Sequence, residues 1–103
     1  MGLVANLEAM LAAGKDDALL RFSLGNAYLK EQPELAVEHL ARAVEFNPEF
    51  SAAWKIYGKA LAAAERENEA REAYARGIAA ANRNGDIQAA KEMKVFLRRL
   101  ERK

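Results

Sequence analysis

The sequence predicts an all-α chain of about six helices arranged as stacked hairpins, and three observations carry that expectation. Ala, Leu, Glu, Lys and Arg dominate, all good helix formers, and no stretch alternates apolar with polar residues as a strand does. Interruptions are few, with two prolines and six glycines in 103 residues. Finally, Leu24-Gly25-Asn26-Ala27-Tyr28 returns as Tyr57-Gly58-Lys59-Ala60-Leu61, with the glycines thirty-three residues apart. Inside a helix Gly costs roughly 0.5–1 kcal/mol relative to Ala, so two at matched places indicate that two backbones approach closely there.

The first helix is expected from about Leu3 to Ala13, with Leu3, Leu7, Met10 and Leu11 on one face and Gly14 as its stop. Asp16 or Asp17 caps the second, which carries Leu20, Leu24, Ala27 and Tyr28 and ends near Glu31. Pro33 cannot continue that helix but suits the first turn of a third, which holds Leu35, Ala36, Leu40, Ala43 and Val44 and stops before Asn47-Pro48. Ser51 is the expected cap of the fourth, with Trp54, Tyr57, Gly58 and Leu61 on one stripe. The next break has no Gly or Pro and is placed near Glu65 to Asn68 from the repeat alone. The fifth helix holds Ala70, Ala73, Tyr74, Gly77 and Ile78 and ends at Asn84-Gly85, after which Asp86 caps a sixth running to about Arg99.

The two inner hairpins agree beyond their glycines. Ala36, Leu40, Ala43 and Pro48 reappear thirty-four residues later as Ala70, Tyr74, Gly77 and Asn82. The glycine offset is one less, so one residue has been lost at the turn around Gln32-Pro33; inside a helix that change would rotate the downstream face by about 100°. Fixed periods in this range mark stacked helical hairpins.

These residues resemble the tetratricopeptide repeat family. Its pattern falls on Trp54, Gly58, Leu61, Ala70 and Tyr74 in one unit, and on Leu24, Gly25, Tyr28, Ala36, Ala43 and Pro48 in the other. The departures are Arg21 in place of Trp, Leu40 for an aromatic, Gly77 for Ala and Asn82 for Pro. The resemblance implies antiparallel helix pairs stacked as a short right-handed α-solenoid, the first helix of each pair lining a concave groove. It divides the single domain into an N-terminal flanking helix (1–15), a first repeat (16–48), a second repeat (49–82) and a C-terminal capping helix (83–103). Two repeats are normally too few for a continuous core, so the flanking helices are expected to act as half-repeats.

The composition argues against several classes of function. No apolar run approaches a membrane span, and with no Cys there is neither a disulfide framework nor thiolate chemistry, which fits a cytoplasmic setting. The start, Met1-Gly2-Leu3-Val4-Ala5-Asn6, has no basic flank or cleavage site of a signal peptide. The single His39 has no partner at metal-ligand spacing and is expected at the surface or half-buried. The carboxylates are spread as solvated helix faces, so no enzyme, cofactor or metal site is expected. Net charge is +1, but residues 1–50 hold four basic against eight acidic residues, a net −4, leaving +5 for the rest.

By the resemblance, the groove wall is Leu19, Phe22, Asn26 and Lys30 on the second helix and Lys55, Ile56 and Lys59 on the fourth. The expected partner is a peptide or helical segment of another protein, with Lys55 and Lys59 favouring an acidic one and Phe22 pointing into the groove as an apolar anchor. Some relatives clamp the C-terminal carboxylate of heat-shock chaperones with Lys and Asn on these faces. Asn26 matches one such place, whereas Phe22 stands where the first clamp Lys would be. Trp54, Tyr28, Tyr57 and Tyr74 are expected in the core.

On the last helix, continuing the repeat would turn Gln88, Lys91 and Glu92 inward, yet the apolar stripe runs through Ala89, Ala90, Met93, Phe96, Leu97 and Leu100. Either the helix turns to cap the core, the favoured expectation, or part of the stripe (Met93, Phe96, Leu97) stays open to a ligand or a second copy. A homodimer through this helix, or through the oppositely charged halves, is the alternative to peptide binding. The basic end, Arg98-Arg99-Leu100-Glu101-Arg102-Lys103, lacks the aromatic interleaving of a nucleic-acid surface and suits a helix C-terminus, so nucleic acid is not expected as a partner.

Overall fold

Turn chemistry decides where each helix of this chain ends. In a computed structural model, which describes residues 2–102, the helices are α1 (Leu3–Ala12), α2 (Ala18–Tyr28), α3 (Pro33–Phe46), α4 (Ser51–Ala63), α5 (Glu67–Asn84) and α6 (Ile87–Glu101). No strand occurs among the described residues. α1, α4 and α5 stop in the same way, through a residue with positive φ: Gly14 (91°), Glu65 (62°) and Gly85 (74°). The amide after each donates back to the last helical turn, Lys15 to Met10, Arg66 to Leu61 and Asp86 to Ala81. Glu65 holds the left-handed conformation without being glycine, which is why no Gly or Pro marked that break and only the repeat placed it.

The other ends follow their side chains. Asp17 caps α2 by accepting from the Leu20 amide at 2.8 Å, while Asp16 is drawn to the Arg21 guanidinium at 2.7 and 2.9 Å. α2 stops at Tyr28, three residues before the expected Glu31, and Pro33 opens α3. Ser51 does not cap α4. It is the first helical residue, and its hydroxyl donates to Asp86 at 2.8 Å. Asp86 also accepts from the Ala89 amide, so one carboxylate caps α6 and ties it to the start of α4.

α2 packs on α3 and α4 on α5 as antiparallel pairs, α3 adjoins α4, and α5 adjoins α6. The first helices α2, α4 and α6 also meet in sequence, whereas the backbones of α3 and α5 nowhere come within 8 Å, Cα to Cα. The stack is therefore tight along one side and splayed along the other, with extents of 40 × 28 × 19 Å. Contacts one repeat apart hold the register: Glu49 with Arg83 at 2.8 Å, the Asn84 amide with the Glu49 carbonyl at 2.6 Å, and Arg66 with Glu34 at 3.2 Å.

The core runs through the stack as large side chains seated on bare glycine backbone. A Cβ on Gly25 would fall inside the Leu40 side chain, and one on Gly58 inside the Tyr74 ring. Gly77 does the same for Met93 and the Cβ of Trp54. The close approach at Gly25 and Gly58 is thus between a helix backbone and its neighbour's side chain, not between two backbones as expected. Leu24, Leu40, Leu61 and Met93 are the largest fully buried residues, and Trp54 and Tyr74 are also buried. Tyr28 and Tyr57 are half-buried against the same core.

On α6 the buried residues are Ala89, Ala90, Met93 and Leu100, with Phe96 and Leu97 half-buried. The helix is turned by one residue, about 100°, from the register that would bury Gln88 and Glu92. Because Asn82 replaces the proline stop, α5 runs on to Asn84 and the Gly85-Asp86 turn aims α6 anew. Met93, named above for an open face, is fully buried and cannot contribute to one. The stripe caps the core.

Candidate functional site

Leu19 and Asn26, seven residues apart, share one face of α2, Lys30 follows in the turn just past its end, and all three are exposed. Leu19 is 64% exposed, a large apolar side chain held in water by a well-formed helix. Phe22 sits beside this face, half-buried, with its ring 4.9 Å from that of Phe50; it leans on the turn before α4 and does not stand free as the sequence suggested. On α4, Ile56 is half-buried and Lys59 exposed.

The electrostatics of this face differ from the expectation. Lys55 donates to Glu92 of α6 at 2.7 Å, and Gln88 adds a second bond to the same carboxylate. Glu92 is held below the usual carboxylate range by these two side chains, Lys55 first. Its charge is therefore largely matched from within. Lys59 lies 5.1 Å from the centre of the Phe96 ring, a cation–π contact worth about 0.5–1 kcal/mol at an exposed site. Lys30 and Lys59 are the groove cations that make no ion pair with any described residue.

Two features of the site were not legible in the sequence. A cleft of about 660 Å³ opens between α1 and α2, lined by Leu7, Met10, Leu19, Leu20 and Ser23 with Lys15, Asp16 and Asp17 at its rim. It joins the groove face through Leu19. No repeat position specifies how α1 docks, so only the folded arrangement reveals it.

The second is a polar chain across α1, α2 and α3. His39 is buried, 6% exposed, where a surface or half-buried place was expected. Arg21 donates to its Nδ1 at 3.1 Å while holding Asp16. The Tyr28 ring stacks on the imidazole at 5.6 Å, and the Tyr28 hydroxyl donates to Glu8 at 2.5 Å. Arg21 thus occupies the family's Trp position by turning a packing contact into a polar one. Burial, then the Arg21 charge, pushes the His39 pKa down from 6.5. No group of three or more His, Cys, Asp or Glu side chains with metal-binding geometry occurs among the described residues, and none of their helices is long and apolar enough to cross a membrane.

On the splayed side, the valley between α3 and α5 is floored by Trp54, whose ring is 5.5 Å from the Arg76 guanidinium carbon. The indole N–H is spent on the Pro48 carbonyl at 2.7 Å, which ties the floor to the α3–α4 turn.

No family model matches the chain. It is 52% identical over 101 residues to a TPR repeat-containing protein of Pseudomonas aeruginosa, covering 97% of this chain and 96% of the relative. Among solved structures, a Bordetella parapertussis protein studied in solution is 48% identical, with a TM-score of 0.84 over 99% of this chain and 90% of that one. The crystal structure of a tetratricopeptide repeat domain protein of Salinibacter ruber superposes with a TM-score of 0.76 at 24% identity, over 84% of this chain and 97% of that one, a likeness of fold.

Proposed function

The chain belongs to the tetratricopeptide repeat family, and from that premise we propose that it is a protein-interaction module holding a peptide or helical segment of a partner along the α2–α4 face. The observation that carries the reading is Leu19, exposed beside a cleft that its own side chain helps to line. A large apolar group left in water next to a concavity is the usual form of an anchor site.

Leu19, Ile56 and the α1–α2 cleft take an apolar side chain of the partner; Asn26 offers an amide to its backbone. Lys30 and Lys59 attract its carboxylates, so an acidic segment is preferred. Lys55 takes a smaller part than the sequence alone suggested, because Glu92 already neutralises it.

The test is affinity capture with the wild-type chain, followed by Leu19→Asp and by Lys30→Glu combined with Lys59→Glu. All three positions are exposed, so helicity should stay unchanged, and the melting temperature of the lysine pair should fall only by the small contribution of the Lys59–Phe96 contact. Captured partners should be lost with Leu19→Asp and weakened, more so at low salt, with the lysine pair. Partners retained equally by all variants would remove the groove from the account.

A further inference from the structure

The solvent-facing ridges of α3 and α6 carry opposite charges in matched spacing. On α3, Glu34, Glu38 and Glu45 are exposed, at steps of four and then seven residues. On α6, Lys91 and Arg98 are exposed seven residues apart, and Arg102, the αR C-cap residue directly after the helix, follows four residues later. At 100° per residue each trio falls within an arc of about 40°, opposite the buried face of its helix. Read in opposite directions the two ridges coincide: Glu34 meets Arg102, Glu38 meets Arg98 and Glu45 meets Lys91, all in one antiparallel register. With a rise of about 1.5 Å per residue, the gaps are about 6 and 10.5 Å on both helices.

We propose that the α6 ridge of one copy of this chain docks antiparallel on the α3 ridge of a second copy. Lys91, Arg98 and Arg102 make no ion pair with any described residue, and neither does Glu38. Glu34 and Glu45 are held by Arg66 and Arg42, but with 68% and 63% of their side chains exposed these are surface pairs that exchange partners readily. Within one molecule α3 and α6 do not touch, so the ridges are free to meet between copies. A net charge of +1 leaves little repulsion between copies, while −4 in residues 1–50 against +5 in the rest favours head-to-tail approach. In that register Arg42 is level with Lys94, but the two lie on opposite flanks of their ridges and point apart. The apolar stripe of α6 faces the other way, with Met93 buried and Phe96 and Leu97 half-buried against the core.

Three surface charge pairs make a weak, salt-sensitive contact. Sedimentation equilibrium of the full chain, freed of nucleic acid, tests it. At about 0.02 M salt the weight-average mass should rise above the monomer's 11.4 kDa with increasing concentration. At about 0.5 M salt, where the Debye length is a few ångströms, it should return to the monomer value. Arg98→Glu and Glu38→Arg should each reduce association several-fold. Mixing these two variants should restore it, because the reversed α6 ridge then meets a reversed α3 ridge. A monomer at low salt and millimolar concentration overturns the proposal, as does association indifferent to both substitutions. If the low-salt chain stays monomeric but binds an oligonucleotide that Arg98→Glu releases, the ridge serves a polyanion and the second copy is excluded.

Discussion

At the scale of single residues, His39 shows how far surroundings depart from what one position in a sequence can announce. Arg21 cannot accept a proton, so Nδ1 of His39 accepts from it and the ring proton sits on Nε2, facing Glu8 across 3.9 Å. Protonating Nδ1 would set two donors against each other in a buried place. Burial and Arg21 lower the pKa, against smaller opposing effects of Glu8, Glu38 and Asp16. The unfolded chain therefore takes up the proton more readily than the folded one. The stabilising contribution is complete above the unfolded value of about 6.5 and is lost as pH falls through the lower folded value. Urea midpoints at about pH 7.5 and pH 5.5 should show a larger drop for the wild type than for His39→Gln, which keeps a donor and an acceptor without titrating there. Equal drops would show that other groups carry the pH dependence.

At the scale of elements, the helix pairs are set by what each glycine leaves room for. Gly58 lies under the Tyr74 ring, which is itself buried and cannot swing away. Gly58→Ala should cost about 1–3 kcal/mol by overpacking despite the better helix propensity of Ala. For a chain of this size the melting temperature would fall by about 4–8 °C per kcal/mol. An unchanged or raised melting temperature would mean that α4 and α5 are less closely applied than described. The same logic explains Gly77, which departs from the family's Ala: it makes room for Met93 from a helix turned out of register. The glycine pair and its thirty-three-residue spacing were legible because packing constraints repeat with the hairpin. The turn of α6 was legible only as a choice between capping and an open face, since the Gly85-Asp86 corner that aims it depends on how far α5 runs past Asn82.

At the scale of the whole molecule, the two ends of the stack differ. α6 contributes Ala89, Ala90, Met93 and Leu100 to the core, whereas α1 contributes no buried residue and rests on α2. Of the two flanking helices expected to act as half-repeats, α6 brings four buried residues to the core and α1 none. A chain starting at Lys15 should keep a cooperative thermal transition at a lowered midpoint. A chain ending at Gly85 should lose it, because Gly77 would be left without Met93 and Tyr74 without Phe96. Circular dichroism melts of both truncations check this; loss of cooperativity in the first, or its retention in the second, would reverse the assignment.

The sequence by itself determined the all-α class, the six helices within a few residues of their ends, the repeat and the family. All of these rest on local chemistry: propensity, proline and glycine stops, caps, and a period that recurs every thirty-four residues. It also marked the α2–α4 face as the place to seek a partner. Only the tertiary structure decided that Lys55 is answered by Glu92, that Phe22 leans on Phe50, that His39 is buried and that Met93 belongs to the core. Each of these depends on a contact between residues far apart in the chain, whose geometry is fixed by how whole helices rotate and dock. Neither composition nor spacing encodes that rotation until the neighbouring helix is in place.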